Sequence, residues 1–223
     1  FLANSHVYYA QGPITKALDD IMPELGGLYG LIYRISRPVL VRRDKRFVHT
    51  IRKGSAKLIA NSKFCASMYE DWGVSVDGVI YPPLDCEKFK PTTYDPSGDY
   101  ILTYAGKETK YSLIKELADA GIEVKIFGSK APIPTSFLHH ERIQVLGKVS
   151  DEELVDLYSN ALYTLFTFTH EPFGYIPIES MACGTPVLTY NRQGPKESVV
   201  HGISGWTVRT DEELLALAIK LWK

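Results

Sequence analysis

The chain has 223 residues, 25 Lys and Arg against 26 Asp and Glu, and a formal net charge of −1, which excludes a generically basic nucleic-acid binder and an acidic disordered tail. Hydrophobic residues make up 45% and charged residues 23%, an ordinary globular composition for one large domain or two small ones. The neutrality is a sum of unlike halves: residues 1–90 hold 13 basic and 9 acidic side chains (+4), and residues 91–223 hold 12 and 17 (−5).

In chain order, His6–Ala10 reads as a strand, and residues 14–54 as mostly helix, broken around Gly26-Gly27 and at Pro38. Within that span, residues 34–57 carry nine basic residues (Arg34, Arg37, Arg42, Arg43, Lys45, Arg46, Arg52, Lys53, Lys57) against Asp44 alone, +8 in 24 positions. Lys57–Asn61 predicts a strand, Lys63–Trp72 a helix ending at Gly73, and Gly78–Tyr81 a strand stopped by Pro82-Pro83. The polar stretch 84–99, with Pro91, Pro96 and Gly98, is the best linker candidate. Beyond it, strand and helix signals alternate. Tyr100–Ala105, Glu123–Phe127, Ile143–Leu146, Leu162–Phe168, Pro186–Tyr190 and Gly205–Val208 read as strands. Helices are expected at Lys110–Ala120, from Ser150 to about Asn160, at Pro177–Cys183, at Pro195–Val200 and after Thr210. Ser150-Asp151-Glu152-Glu153 and Thr210-Asp211-Glu212-Glu213 are capping-box patterns. Strands alternating with helices of this length predict an α/β fold with a doubly wound parallel sheet.

Cys65, Cys86 and Cys183 are far apart and form no C-x-x-C pair, so they read as reduced thiols of a cytoplasmic protein. No apolar run approaches the roughly 18–20 residues that span a bilayer. The chain opens at Phe1 as if in mid-domain, which points to a fragment of a longer protein.

The sharpest segment is Thr169–Pro186, T-H-E-P-F-G-Y-I-P-I-E-S-M-A-C-G-T-P, directly after a predicted strand. Ligands of open α/β sheets gather outside the carboxyl ends of strands. Glu171 lies in the loop and Glu179 eight residues later, read as the first turn of the short helix. Gly174 lets backbone approach a ligand, and the helix N-terminus adds partial positive charge. Taken alone, Glu179 could be mere dipole compensation and Glu171 a solvated loop carboxylate. The two together, with Pro-Phe-Gly between them, favour function.

This segment resembles the E-x7-E signature of the retaining nucleotide-sugar glycosyltransferases of the GT-B fold, family 4 type, also described as glycosyl transferases group 1. The likeness continues through Leu146–Ala161, Asn191–Val208 and, upstream, Ala60–Asp85, spanning most of residues 57–208. It implies a Rossmann-like C-terminal domain that binds the donor, at 99–223, after a linker at 86–98. Residues 1–85 would be part of a second Rossmann-like domain on the acceptor side, lacking its start. The implied reaction moves a sugar from a GDP- or UDP-sugar, of mannose or glucose type, to a glycan or lipid-linked acceptor with retention and without metal. The nucleotide-sugar is a substrate, so no cofactor is implied, and no Asp-x-Asp metal motif is present.

Residue by residue, Glu171 corresponds to the family's first glutamate, which faces donor-sugar hydroxyls near the reacting carbon. Phe173 and Gly174 would line the sugar and diphosphate through their backbone. Glu179 would accept hydrogen bonds from the ribose diol, for which a carboxylate is a bidentate acceptor. Gly106-Lys107-Glu108-Thr109-Lys110 stands where the family has a Gly-Arg and then a Lys, at shorter spacing. Lys107 and Lys110 would therefore hold the departing diphosphate, with Gly106 and the loop glycine Gly194 at the donor. The plain alternative for both lysines is a charged helix start.

The adjacent His139-His140 read as a solvated loop, since no recognised ligand spacing supports a metal. His170 either touches substrate or only closes its loop. The basic stretch 34–57 is either a solvated helical face or a surface for an anionic membrane, in peripheral contact at the inner face, or for a lipid-phosphate acceptor, aided by Tyr29, Leu31, Ile32, Tyr33 and Ile35. A nucleotide- or sugar-binding fragment without transferase activity, and a GT-B relative such as a sugar-nucleotide epimerase, remain as alternative functions.

Overall fold

The computed structural model describes residues 5–25, 27–106, 108–128 and 133–223. It divides into two compact units, Phe1–Pro83 with Thr169–Phe173, and Leu84–Phe168 with Gly174–Lys223.

The first unit holds β1 (Ser5–Ala10), α1 (Ile14–Leu25), α2 (Gly27–Gly54), β2 (Ser55–Ala60), α3 (Lys63–Glu70) and β3 (Gly78–Val79). The strands form a parallel sheet in the order β1-β2-β3. Leu58 and Ala60 of β2 pack with Ala10, Val48, Cys65 and Met68 to make its core. Ser62 caps α3 by accepting from the Cys65 amide at 2.9 Å, the expected role of a serine at a helix start. Pro38 was expected to break the second helix, yet α2 runs through it for 28 residues. An interior proline removes one hydrogen bond and crowds the preceding turn. Contacts with α1 hold the helix on both sides of it. Tyr33 donates to Asp19 Oδ1 at 2.7 Å and Arg37 Nη2 to Asp19 Oδ2 at 2.8 Å. Beyond the proline, buried Asp44 accepts from the Thr15 amide at 2.7 Å and the Thr15 hydroxyl at 2.8 Å, satisfying an otherwise orphaned donor in the first turn of α1.

The second unit holds β4 (Ile101–Tyr104), α4 (Tyr111–Asp119), β5 (Val124–Phe127), a 3₁₀ turn (Thr135–His139), β6 (Ile143–Gly147), α5 (Asp151–Asn160), β7 (Thr164–Phe166), α6 (Tyr175–Ala182), β8 (Val187–Tyr190), α7 (Pro195–Ser198), β9 (Gly205–Val208) and α8 (Asp211–Trp222). Six strands pair in parallel in the order β6-β5-β4-β7-β8-β9. The chain builds outward from β4 to β6, then returns to the other side of β4 with β7. The order therefore reverses between β4 and β7, which puts the topological switch point there. Ile101, Ile114, Leu117, Ile126, Leu165 and Leu188 are fully buried in the main core of this unit. The near-continuous apolar strands read from the sequence are those of a parallel sheet covered on both faces.

The Ser150 capping box forms with both of its bonds. At Thr210 only half of the expected box exists. Its hydroxyl accepts from the Glu213 amide, but the Glu213 carboxylate turns to the Arg209 amide at 2.7 Å instead of the cap residue's own. The 3₁₀ turn contains His139, and His140 lies 3.1 Å from Asp119 through Nε2, so the second of the two histidines is paired with a carboxylate. The expected linker 86–98 lies within the second unit. Phe89 is buried with Tyr100 and Tyr158, and the Thr92 amide donates to Ser159 Oγ at 3.0 Å.

Candidate functional site

Three loops of the second unit leave the carboxyl ends of β4, β8 and β9, and the segment that connects β7 to α6 leaves the fourth strand end. After β4, a Cβ on Gly106 would come within 2.4 Å of the Phe168 ring and 2.8 Å of the Tyr104 ring, so only glycine fits between them. The Gly106 amide donates to Thr109 Oγ1 at 2.7 Å, which ties the turn to itself. Lys107, expected to face the diphosphate, lies outside the described residues. Glu108 is buried although it is charged, a feature the sequence reading passed over.

Lys110 is the N-cap of α4, and its side chain reaches across the sheet edge. Its ammonium lies 2.8 and 3.2 Å from the two oxygens of Asp211 and 3.1 Å from the Tyr190 hydroxyl. It also stands 4.7 Å from the Tyr190 ring centre, with the Arg192 guanidinium 4.9 Å from the same centre. Burial alone would push the Asp211 carboxyl up, but its bonds to Lys110 and Tyr190 outweigh that and hold it below the usual carboxylate range. The N-terminus of α8 favours the anionic form as well. The structure thus gathers two cations, one carboxylate and one phenol where β4, β8 and β9 end. Sequence reading found Lys110 but took Asp211 for a helix-start acid and assigned nothing to Tyr190 or Arg192. The first-turn position of Asp211 was correctly legible; its long-range partner was not.

The E-x7-E segment resolves into parts with separate jobs. Gly174 stands at φ 92°, ψ 80°, a left-handed conformation that glycine adopts without strain, and as N-cap it starts α6 at Tyr175, ahead of the expected Pro177. Pro177 was expected at the helix start and instead is its third residue, where the missing N–H has no intrahelical partner to lose. Glu179 consequently falls in the second turn, and α6 has no acid in its first turn, so dipole compensation does not account for it. The Tyr158 hydroxyl donates to Glu179 Oε2 at 3.1 Å. Burial pushes the Glu179 carboxyl above its ordinary value, and the Tyr158 bond offsets this only in part. Tyr158 is fully buried and its phenol is held neutral by that burial. Glu171 is half-buried, Phe173 is buried, and both belong to the segment Thr169–Phe173 that groups with the first unit; Phe173 lies 6.2 Å from the Tyr81 ring. Gly106, Lys110, Gly174, Glu179 and Gly194 lie in the second unit.

The rest of the signature is scaffold. Ser180, fully buried, donates to Thr164 Oγ1 at 2.8 Å or to the Thr185 carbonyl at 3.0 Å, and Thr185 Oγ1 bonds the Tyr158 carbonyl. These bonds clamp α6 to β7 and α5 and so fix Glu179 against Tyr158. Burial pushes the Cys183 thiol up to about 11, so it stays neutral. Ser180→Ala leaves buried acceptors without a donor and is expected to cost about 1–3 kcal/mol in urea unfolding. Gly194 caps α7 in a right-handed conformation, while its neighbour Gln193 takes the left-handed one at φ 56°.

The sequence profile described as "Glycosyl transferases group 1" matches residues 135–223. The alpha-1,3/1,6-mannosyltransferase ALG2 of Mus musculus is 35% identical over 194 residues, covering 70% of this chain and 47% of that protein. A probable sucrose-phosphate synthase of Thermosipho melanesiensis is 40% identical over 76 residues, 32% of this chain and 18% of that one. The chain thus spans about half the length of the mouse protein. Among solved structures, Anabaena Alr3699/HepE in complex with UDP-glucose aligns at a TM-score of 0.70 and 20% identity, over 96% of this chain and 61% of that one. The sucrose-phosphate synthase of Thermosynechococcus elongatus aligns at 0.66 and 21%, over 82% and 55%. At these identities the two structures speak for the fold alone.

Proposed function

We propose, for a chain that belongs to the group 1 glycosyltransferases of the GT-B fold, that the full-length protein transfers a hexosyl group from a GDP- or UDP-sugar to a glycan or lipid-linked acceptor with retention. The observation that carries this reading is Glu179. It is a half-buried carboxylate in the second turn of α6, steadied by Tyr158, on the segment that leaves β7 beside the strand-order reversal. A buried carboxylate kept from full solvation is a strong acceptor for the two hydroxyls of a ribose. The mannosyltransferase activity of the mouse relative ALG2 and the UDP-glucose held by HepE support a donor of mannose or glucose type.

In the reaction, the bond from the anomeric carbon to the diphosphate oxygen breaks and its electron pair leaves with the β-phosphate. The acceptor hydroxyl bonds to the same carbon from the face the diphosphate is leaving. Its proton passes to the leaving phosphate oxygen. Glu171 orients the sugar and opposes the positive charge that grows at the ring. Lys107, Lys110 and the N-terminus of α6 oppose the negative charge that grows on the diphosphate, so no cation is needed. Lys110 meets the phosphate by sharing its ammonium with Asp211, since three N–H donors serve more than one acceptor. Phe173 and Gly174 contribute backbone, and Gly106 and Gly194 let it come close.

Incubating full-length protein with GDP-mannose or UDP-glucose and an oligosaccharide or polyprenyl-diphosphate acceptor, in EDTA, tests this. An α-linked product from the α-donor, by mass spectrometry and NMR, is expected. A β-linked product would overturn retention, and turnover abolished by EDTA would overturn metal independence. Nucleoside diphosphate binding with no transfer would favour a binding module, and a new sugar nucleotide formed without acceptor an epimerase.

A further inference from the structure

The outward face of α2 is apolar where its inward face is polar. Leu28, Leu31, Ile32, Ile35 and Val39 follow one another at i, i+3, i+4, i+7 and i+11, one stripe of a helix, and each is 52–73% exposed. The opposite side of the same turns carries Tyr33 and Arg37, whose polar ends are bound to Asp19 of α1. Further along, the inward side holds buried Asp44, Val48 and Ile51. A helix that packs on a core normally shows the reverse order, apolar within and polar without.

The stripe does not end at Val39; it changes character. Arg42, Arg46 and Lys53 continue it at i+14, i+18 and i+25, and all three are exposed. Most of the other cations of this region are engaged, the exposed Arg34 excepted. Arg37 pairs with Asp19, Arg52 and Lys57 with Asp77, and Lys45 lies 5.6 Å from the Trp72 ring centre. Among the described residues, Arg42, Arg43, Arg46 and Lys53 make no ion pair. The first half of the outer face is thus free apolar surface and the second half free positive charge.

We infer that this face of α2 docks on an anionic lipid bilayer, with Leu31 and Ile35 entering the boundary between headgroups and acyl chains and Arg42 and Arg46 meeting the headgroup phosphates. Charge decides the occupant. A second copy of this chain would bring like-charged stripes together, whereas an anionic lipid surface complements them. No helix among the described residues is long and apolar enough to cross a membrane, so α2 lies along the surface. The inference stands independently of the chemistry proposed for Glu171 and Glu179, because it rests on α2 alone.

Sedimentation of the protein with phosphatidylcholine vesicles, with and without phosphatidylserine, tests it. Binding is expected only with phosphatidylserine and is expected to weaken with salt. Arg42→Gln with Arg46→Gln should lower the partition coefficient about fivefold per charge removed. Leu31→Ser with Ile35→Ser should abolish binding with an unchanged melting temperature, both side chains being exposed. An Ile35→Trp variant should blue-shift its fluorescence on anionic vesicles. Equal binding to neutral vesicles, binding that survives both double variants, or a tryptophan that stays in water would overturn the inference. So would a protein that ignores vesicles and forms a dimer dissolved by the serine variants.

Discussion

Replacing Glu171 by Gln in the full-length protein is expected to lower the kcat of the proposed transfer by about 10²–10³, the usual cost of one missing charge-stabilising group. Gln has the same shape and keeps an acceptor oxygen for a sugar hydroxyl, so the ground-state complex should change little. What it lacks is the negative charge that, in the proposed reaction, opposes an oxocarbenium-like ring as the diphosphate departs. An interaction made only in the transition state appears in kcat and kcat/KM together, with KM nearly constant. The variant should fold normally. Glu171 is half-buried, and the neighbouring anchor of its segment is the buried Phe173. The melting curve should therefore overlay that of the wild type. Unchanged turnover at an unchanged melting temperature would remove Glu171 from the reaction. A raised KM with normal kcat would reassign it to donor binding alone.

Most of the architecture was readable because parallel strands buried on both faces leave short apolar runs, and helices between them leave caps and terminal glycines. Both signals are local, and β4 to β9 followed them closely. The readings that moved did so where a tertiary contact, or a neighbouring glycine, outweighed the preference of a proline. Pro38 did not break α2 because Asp19 of α1 binds the helix before the proline and the helix's own Asp44 binds Thr15 of α1 after it. Pro177 did not start α6 because Gly174 could turn left-handed three residues earlier. The same shift placed Glu179 in the second turn and separated it from the simple helix-dipole explanation.

The site was legible by type and spacing, but its partners were not. Tyr158 and Asp211 lie 21 and 101 residues from the side chains they hold, Glu179 and Lys110. No periodicity joins residues so far apart; they meet because α5, α6, α8 and the strand ends are neighbours in a doubly wound sheet. The inverted polarity of α2 was half visible. The run of basic residues and the apolar neighbours Leu31, Ile32 and Ile35 stood out in the sequence, whereas Tyr33, read with them, turns to Asp19 on the other side of the helix. An apolar i, i+3, i+4 pattern does not say which side of the helix the core is on.

Glu179→Gln is expected to act in opposite directions on donor binding and on stability. Hydrogen bonds to a charged acceptor are worth about 1.5–3 kcal/mol, so loss of the carboxylate should weaken UDP or GDP binding about 10- to 100-fold in calorimetry. A 2′-deoxynucleoside diphosphate makes the assignment specific. The wild type should prefer the ribonucleotide, and the variant should lose most of that preference. Stability should rise. Burial holds the folded-state value of Glu179 above its ordinary 4.5, so the native protein binds this proton more tightly than the unfolded chain. Its contribution is then most favourable below pH 4.5 and declines as pH climbs through the raised value, leaving a buried charge at neutrality. Gln keeps an oxygen for the Tyr158 hydroxyl and removes the charge, which should stabilise the protein by about 0.5–1 kcal/mol at pH 7, a common gain when a functional residue is neutralised. The two unfolding curves should converge in acid, where Glu179 is protonated anyway. A variant destabilised at pH 7 would show that Tyr158 needs the charge, and intact discrimination of the deoxynucleotide would place the ribose elsewhere.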